Sequence, residues 1–359
     1  MSILITVLLL ILFFWVLGLW FRKGEDLTAW DHALEPGAGE SFARPDGPSP
    51  QHEEVAREIH AQGKDLNQTP FRQRLARMRE FMDALPDGRE FNAEFVAADA
   101  AGVRAEWVLP PAVDASRRML YLHGGAFFAG SPKSHRTLTS RLAELSGAAV
   151  LAIDYRLMPE HRRADGIEDC RTAYRWILEN GPNGAGLASS VYAGGDSAGG
   201  NLVLSLSQWI RDEGLRAPNG VVAFSPVVDA THSGPSVRSN MKTDLMLAPM
   251  FSKLMRLPAV LLTWYYVLET RFRPINPVVS PIFGDLSNLP PTLIHASEAE
   301  ILLDDARRYV NKARASGSPV RMQSWAGLLH VWQIFNPEVP EAEEALQQVG
   351  QFLRSVTPT

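Results

Sequence analysis

Three separated segments of this 359-residue sequence hold residue types that, brought together, can attack a carboxylic acyl bond. The first is Gly194-Gly195-Asp196-Ser197-Ala198-Gly199-Gly200, directly after the apolar stretch Val191-Tyr192-Ala193. A serine hydroxyl is a poor nucleophile at neutral pH and needs an adjacent base. It must also stand clear of the backbone so that a carbonyl carbon can approach. A sharp strand-to-helix turn lifts Ser197 in that way, and Gly195 and Gly199 remove the Cβ atoms that would collide where the two elements pass. The run Asn201 to Ile210 is of helix length and ends near Gly214. The Ala198 N–H then lies at the start of that helix, where donors are unpaired and the dipole favours negative charge. That suits a developing oxyanion. Standing alone, the segment also fits a glycine-rich turn that joins two elements or binds phosphate.

The second segment, His123-Gly124-Gly125-Ala126-Phe127, follows the apolar strand Met119-Leu120-Tyr121-Leu122. Gly124, Gly125 and Ala126 lack bulky side chains and can turn backbone N–H groups toward a reacting oxygen, while the His123 side chain fits a structural role. The third is His330, in Gly327-Leu328-Leu329-His330-Val331, after the strand-like Val320 to Trp325. An acid to orient that histidine should follow the strand Thr292 to Ala296, where Glu298, Glu300, Asp304 and Asp305 are available. The chain order nucleophile, acid, histidine is that of α/β-hydrolases and not of chymotrypsin-like or subtilisin-like enzymes.

Together with Asp154-Tyr155-Arg156-Leu157-Met158-Pro159-Glu160 and Glu300-Ile301-Leu302-Leu303-Asp304-Asp305, these segments make the chain resemble the hormone-sensitive-lipase-like branch of the α/β-hydrolases over about residues 90 to 355. That branch includes bacterial family IV esterases and arylacetamide deacetylases. The resemblance implies an ester hydrolase with Ser197 as nucleophile, His330 as base, and Gly124, Gly125, Ala126 and Ala198 as oxyanion donors. Relatives usually carry Asp-Pro-Leu-x-Asp-Glu, whose first aspartate is the acid. Fitting the later acidic pair onto Asp304-Asp305 places Glu300 at that position, with Glu298 as the alternative. Two departures stand out: glutamate for aspartate at 300, and Ala126 where the loop often has glycine. The charges of Asp154 to Glu160 fit a structural network beside the site, and Asp196 a turn-fixing role. The resemblance implies no cofactor. An amide deacetylase or a lipid acyltransferase would use the same residues, and a non-catalytic receptor or scaffold would keep the fold but normally lose a triad group.

Composition narrows the classes further. A net charge of −5 gives no hint of nucleic-acid binding, and the single cysteine, Cys170, excludes an intramolecular disulfide framework. Neither His-Glu-x-x-His nor Cys-x-x-Cys occurs, so no metal site is expected. From Ser2 to Phe21 the sequence carries no charge. Twenty residues rising about 1.5 Å each span about 30 Å, the thickness of a bilayer core. Trp15, Trp20 and Phe21 fall toward the trailing interface, and Arg22-Lys23 follows at once. No basic residue precedes the run and no small-x-small cleavage site follows it, which favours a retained anchor over a signal peptide. The positive-inside rule then places the catalytic domain in the cytoplasm.

The elements that must position these groups can be read from pattern. Residues 1–23 read as a transmembrane anchor, 24–50 as a Gly/Pro-rich linker with little regular structure, and 51–90 as helical, a region that the resemblance makes part of a cap. The arginines Arg72, Arg74, Arg77 and Arg79 in that region fit a solvated helix face or contact with anionic lipid headgroups. Residues 91–359 read as the catalytic domain, an α/β-hydrolase fold with a mostly parallel sheet, helices on both faces and an opening hairpin around Ala101-Gly102. Strands are expected near 119–122, 148–153, 190–194, 220–224, 291–296 and 319–325. Helices are expected near 135–146, 165–180, 198–213, 303–316 and 339–354. The interval 227–281 breaks the alternation and reads as a cap insertion. Its Met and aromatic residues fit ordinary packing, an acyl pocket or an apolar lid near a bilayer. The implied partners are a small-molecule or lipid ester and, through the N-terminal helix, a membrane.

Overall fold

The computed structural model describes residues 2–357, except for the side chains of Ser2, Phe71 and Arg72. The chain opens with α1 (Ser2–Phe21), then forms β1 (Gly39–Phe42) and two helices, α2 (Pro50–Gln68) and α3 (Phe71–Ala84). Ser49 starts α2 by accepting the His52 N–H at 3.2 Å, with Pro50 at the first helical position, where a missing N–H costs nothing. The opening hairpin is β2 (Glu94–Asp99) and β3 (Arg104–Leu109). There follow β4 (Asp114–Leu122), α4 (Arg136–Ser146), β5 (Ala148–Ile153) and α5 (Arg163–Glu179). A small ribbon, β6 (Asn180–Gly181) and β7 (Gly184–Ala185), precedes β8 (Ser190–Asp196), α6 (Ala198–Asp212) and β9 (Gly220–Phe224). The interval after β9 holds three helices, α7 (Ser236–Ser239), α8 (Leu247–Met255) and α9 (Ala259–Thr270). The chain closes with β10 (Thr292–Ser297), α10 (Leu303–Ala315), β11 (Val320–Trp325) and α11 (Pro340–Ser355).

Nine strands form one sheet in the order β1-β11-β10-β9-β8-β4-β5-β3-β2. It is parallel except where β3 pairs with β2 and β5. All six residues of β5 are buried, as are all seven of β8, which is the near-continuous apolar run required of a strand covered on both faces. One face packs on α4 and α11 through Leu138, Leu142, Leu346 and Phe352. The other packs on α5, α6 and α10 through Tyr174, Leu202, Leu206 and Tyr309.

This topology fixes where chemistry can happen. The chain runs from β4 outward to β5 on one side, then crosses to β8 and continues outward through β9, β10 and β11 on the other. The carboxyl ends of β4 and β8 are therefore neighbours, Leu122 pairing with Gly195, and the loops after them diverge over opposite halves of the sheet. Such a switch point leaves a crevice beyond the strand ends. The loops carrying His123, Ser197, Glu300 and His330 follow β4, β8, β10 and β11 in turn.

Two features differ from the pattern-based reading. Residues 24–50 are not an irregular linker: β1 adds to the sheet edge in parallel with β11, Gly39 opposite Met322 and Phe42 opposite Trp325. The Phe42 and Trp325 rings stack at 4.5 Å. Asp31 pairs with the buried Arg308 at 2.5 and 2.9 Å, and the Asn311 amide donates to the Trp30 and His32 carbonyls. The arginines of α3 also have intramolecular roles. Arg74 donates to the Thr69 and Asn67 carbonyls at the end of α2. Arg77 donates to Asp65 and Thr69. Arg79 binds the Phe128 and Met158 carbonyls and forms a bidentate pair with Glu160. The Arg72 side chain lies outside the described residues.

Candidate active site

Ser197 occupies the turn between β8 and α6 with φ +51° and ψ −112°, a conformation that costs a non-glycine residue about 1–3 kcal/mol. The turn is held from both sides. The Ser197 N–H donates to the Phe224 carbonyl at 2.7 Å, and its carbonyl accepts from the Asn201 N–H at 3.0 Å. Gly199 lies against the Leu122 and His123 carbonyls, where a Cβ would overlap backbone atoms. The Ser197 side chain is half-buried and stands at the head of α6 with no hydrogen-bond partner among the described residues.

The loop after β4 takes three successive left-handed residues, Gly125 (φ +112°), Ala126 (φ +55°) and Phe127 (φ +67°). Among the described residues the Gly125, Ala126 and Ala198 N–H groups have no acceptor. Gly124 departs from the expected set. Its N–H donates to Asp196 Oδ1 at 3.0 Å and is withdrawn from any reacting oxygen. Asp196 is buried and also accepts from the Tyr121 hydroxyl at 2.7 Å, with His135 Nε2 at 3.3 Å. Burial alone would raise its pKa. The His135 ring and the Tyr121 hydroxyl outweigh that and hold it below the usual aspartate value. The carboxylate thus fastens the serine turn to the neighbouring loop, which gives the turn-fixing reading of Asp196 its geometry. His123 shapes the same loop. Its Nδ1–H donates to the Gly124 carbonyl at 2.8 Å, and its ring stacks on Tyr155 at 4.3 Å. Burial, then the nearby His135, lowers its pKa to about 3, so it is neutral. Around the loop, Arg104 pairs with Asp154 and Arg156 with Asp169, as a structural network requires.

The left-handed backbone at Ala126 leads to a signed prediction. Relief of about 1–2 kcal/mol of Cβ strain should exceed the about 0.4–1 kcal/mol of extra unfolded-state entropy that glycine brings. Ala126→Gly is therefore expected to be more stable than wild type by about 0.5 kcal/mol, where most Ala→Gly changes destabilise. Chemical denaturation of the two proteins checks the sign; a clear loss of stability would contradict it.

Glu300 and His330 meet on the far side of the crevice. His330 Nδ1 lies 2.5 Å from Glu300 Oε2, and both side chains are buried. Glu300 Oε1 accepts the Ser297 N–H at 2.8 Å. Burial disfavours the imidazolium, but the Glu300 carboxylate outweighs it and raises the His330 pKa above the usual 6.5. His330 Nε2 has no partner among the described residues. The loop around it is pinned three times: the Leu328 carbonyl accepts from Ser297 Oγ at 2.5 Å, the Leu329 N–H donates to His52 Nε2 at 2.9 Å, and the Val331 N–H to Ser225 Oγ at 3.2 Å. Ser197 is bonded to Phe224 and Val331 to Ser225, so the serine turn and the histidine loop hang from consecutive residues at the end of β9.

The other acids are engaged elsewhere. Glu298 is exposed and accepts from Ser41 and Ser324 at the β1–β11 edge. Asp304 accepts the Ser236 N–H, and Asp305 the Val228 and Asp229 N–H groups, which fixes the start of the segment after β9 to α10. Two contributors escaped sequence reasoning. Asp244 accepts from Leu247 at the start of α8 and from Ile301 beside the acid, and its place just before an apolar helical run was a visible helix-start signal. His52 lies 277 residues from Leu329, and no local pattern announces that contact.

This geometry can be set beside known proteins. Residues 119–334 match the alpha/beta hydrolase fold family. The chain is 39% identical over 254 residues to an acetyl-hydrolase of Streptomyces hygroscopicus, covering 70% of this chain and 80% of that protein. It is 35% identical over 270 residues to the carboxylesterase/phospholipase LipF of Mycobacterium tuberculosis, covering 74% and 68%. The crystal structure of an esterase from the bacterial hormone-sensitive lipase family superposes with a TM-score of 0.73 at 31% identity, covering 88% of this chain and all of that one. The chain is an α/β-hydrolase of the hormone-sensitive-lipase-like group. In this hydrolase the family match spans the serine turn, the loop after β4, Glu300 and His330, while α1 and β1 lie before it.

Proposed function

We propose that this carboxylic ester hydrolase works through Ser197, His330 and Glu300 by way of an acyl-enzyme, and does so from a membrane. The observation that carries the reading is His330: Nδ1 is taken by a buried carboxylate, Nε2 has no partner among the described residues, and the Val331 N–H beside it is bonded to Ser225, the residue next to the Phe224 that holds Ser197. Neutral His330 takes the Ser197 proton on Nε2 as Oγ attacks the ester carbonyl. The carbonyl oxygen gains charge and is met by the Gly125, Ala126 and Ala198 N–H groups, each loss of which costs about 10²–10³ in rate in comparable sites. His330 then protonates the departing alcohol. Water repeats the sequence on the acyl-serine and releases the acid. Glu300 keeps the proton of the neutral ring on Nδ1 and stabilises the imidazolium.

The membrane part rests on α1, 20 uncharged residues that are apolar and long enough to cross a bilayer and almost all unburied. Arg22-Lys23 at its exit supports a cytoplasmic catalytic domain by the positive-inside rule. A fluorophosphonate probe is expected to add to Ser197 in the full-length protein, read as a mass shift on the peptide that holds it. Membranes carrying the protein are expected to retain it through carbonate and high salt. A probe adduct on any other residue would overturn the nucleophile, and protein released by carbonate would overturn the anchor.

A further inference from the structure

The cap insertion ends in α9, a helix with no charge before Glu269. Its faces differ. Val260, Thr263 and Thr270 are buried, whereas Leu261, Tyr265 and Leu268 are 47%, 49% and 60% exposed. These three lie at i, i+4 and i+7, one continuous apolar stripe along the outer face. Leu257, just before the helix, is 43% exposed.

This stripe is continuous with α1. Gly18 sits against Val260 and Trp264, where any side chain would collide. The Trp264 ring meets Phe14 and Phe21 edge-on at 5.6 and 5.3 Å, and its Nε1–H donates to the Phe14 carbonyl at 3.0 Å. Arg273 donates to the Trp20 and Phe21 carbonyls at the end of α1, and Arg22 to the Ala259 carbonyl at the start of α9. The two helices therefore touch from Phe14 to the end of α1 at Phe21, about 10 Å of it, with Arg22 just beyond.

From this contact we infer that the outer face of α9 is itself inserted in the bilayer, in the leaflet that α1 leaves, and that the hydrolase takes esters dissolved in that leaflet. The inference rests on the anchoring proposed above. A helix needs about 20 residues to span the hydrocarbon. If α9 stayed in water, the turns of α1 packed on it would stay there too. Only Ser2 to Phe13 would remain for the membrane, about 18 Å and too short. The spanning requirement therefore draws α9 into the leaflet beside Phe14 to Phe21. Its exposed leucines and tyrosine suit that place, and the exposed cations Lys23, Arg256 and Arg271, which follow α1 and bracket α9 in sequence, suit the anionic headgroup layer. The opposite face of α9 points toward the chemistry. Tyr266 lies within electrostatic reach of the buried Arg163, whose guanidinium stacks on Phe127 of the oxyanion loop at 3.7 Å. One helix thus separates the leaflet from the site.

Depth-dependent quenching in the full-length protein tests this. Cys170 is buried, so single labels can be placed by Leu261→Cys and Leu268→Cys, with Leu10→Cys in α1 and Leu187→Cys, 78% exposed beyond the opposite end of the sheet, as references. Each is labelled with bimane and reconstituted in phosphatidylcholine–phosphatidylglycerol vesicles, with nitroxide-bearing acyl chains as lipid quencher and iodide as aqueous quencher. The labels at 261 and 268 are expected to be quenched by lipid several-fold more than the one at 187, and shielded from iodide. If they follow 187 while the label at 10 is quenched by lipid, the anchor stands and the inference falls. If the label at 10 also ignores the lipid quencher, the anchor itself fails and the inference goes with it. A Leu261→Asp/Leu268→Asp variant supplies the catalytic readout. It is expected to keep wild-type turnover of a water-soluble acetate ester in detergent and to lose, several-fold, hydrolysis of a diacyl ester held in vesicles. Equal rates on the vesicle-borne ester would overturn the leaflet as the substrate's source.

Discussion

Ser197→Ala and His330→Gln are each expected to lower ester turnover by about 10⁴ to 10⁶ while leaving a folded protein. The size follows from the roles. Without Oγ there is no acyl-serine, and without Nε2 nothing takes its proton as the bond forms. What remains is the rate that bound substrate and the oxyanion donors provide. The two losses should not add, because nucleophile and base act as one unit; the double variant is expected near the worse single variant. The choice of glutamine at 330 is structural. Ser197 has no hydrogen bond through its side chain among the described residues, so alanine there removes little stability. His330 is buried against Glu300, and truncation to alanine would strand a buried carboxylate, a change worth about 3–5 kcal/mol in comparable pairs. Glutamine keeps a donor in its place. Turnover of a soluble short-chain ester, with circular dichroism and a thermal melt on each variant, reads the result. A folded Ser197→Ala that still turns over near the wild-type rate would move the nucleophile elsewhere.

What the sequence made legible was local. Gly195 and Gly199 around Ser197, the buried run Ala148 to Ile153, and the alternation of strands with helices each follow from a pattern of a few residues. The strand ends that must carry the site could be named on that basis. The acid needed more, since four carboxylates follow β10 within eight residues. Only the three-dimensional arrangement shows that Glu298 faces two serines at the sheet edge while Glu300 faces the histidine.

What escaped was nonlocal. Gly39-Glu40-Ser41-Phe42 has no apolar alternation of its own and is a strand because β11 offers it an edge. The Gly124 N–H is indistinguishable in sequence from its neighbours, yet a buried carboxylate at the end of β8 claims it. Arg74 and Arg79 of α3 read as surface charge because all of the first one's acceptors and two of the second one's are backbone carbonyls, and carbonyls carry no signature in a sequence. His52 supports the histidine loop across the length of the catalytic domain for the same reason: its partner is a main-chain N–H.

Glu300→Gln is expected to lose about 10⁴ in turnover number, by analogy with an aspartate-to-asparagine change in a triad. The geometry gives the cause. Glu300 Oε1 accepts the Ser297 N–H. In the glutamine variant the carbonyl oxygen takes that position, and the amide –NH₂ is turned toward His330 Nδ1. A donor there forces Nδ1 to accept, and the proton of the neutral ring moves to Nε2, the atom that must be bare to act as base. Glu300→Asp keeps an acceptor on both sides with a shorter reach, and should keep more activity than Glu300→Gln. Glu298→Gln alters only an exposed contact to Ser41 and Ser324 and should stay near wild type. The pH profile supplies a second readout. His330 must be neutral to take the serine proton, so kcat/KM falls as pH drops through its pKa. Burial lowers that pKa and Glu300 more than restores it, leaving it above the usual 6.5. The acid limb of the wild type should therefore lie above that value, and in Glu300→Gln, where burial acts without the carboxylate, it should move to lower pH. A dead Glu298→Gln beside a normal Glu300→Gln would transfer the role to Glu298. Normal rates in both would point to Asp304 or Asp305, at the price of the cap contacts those two now hold.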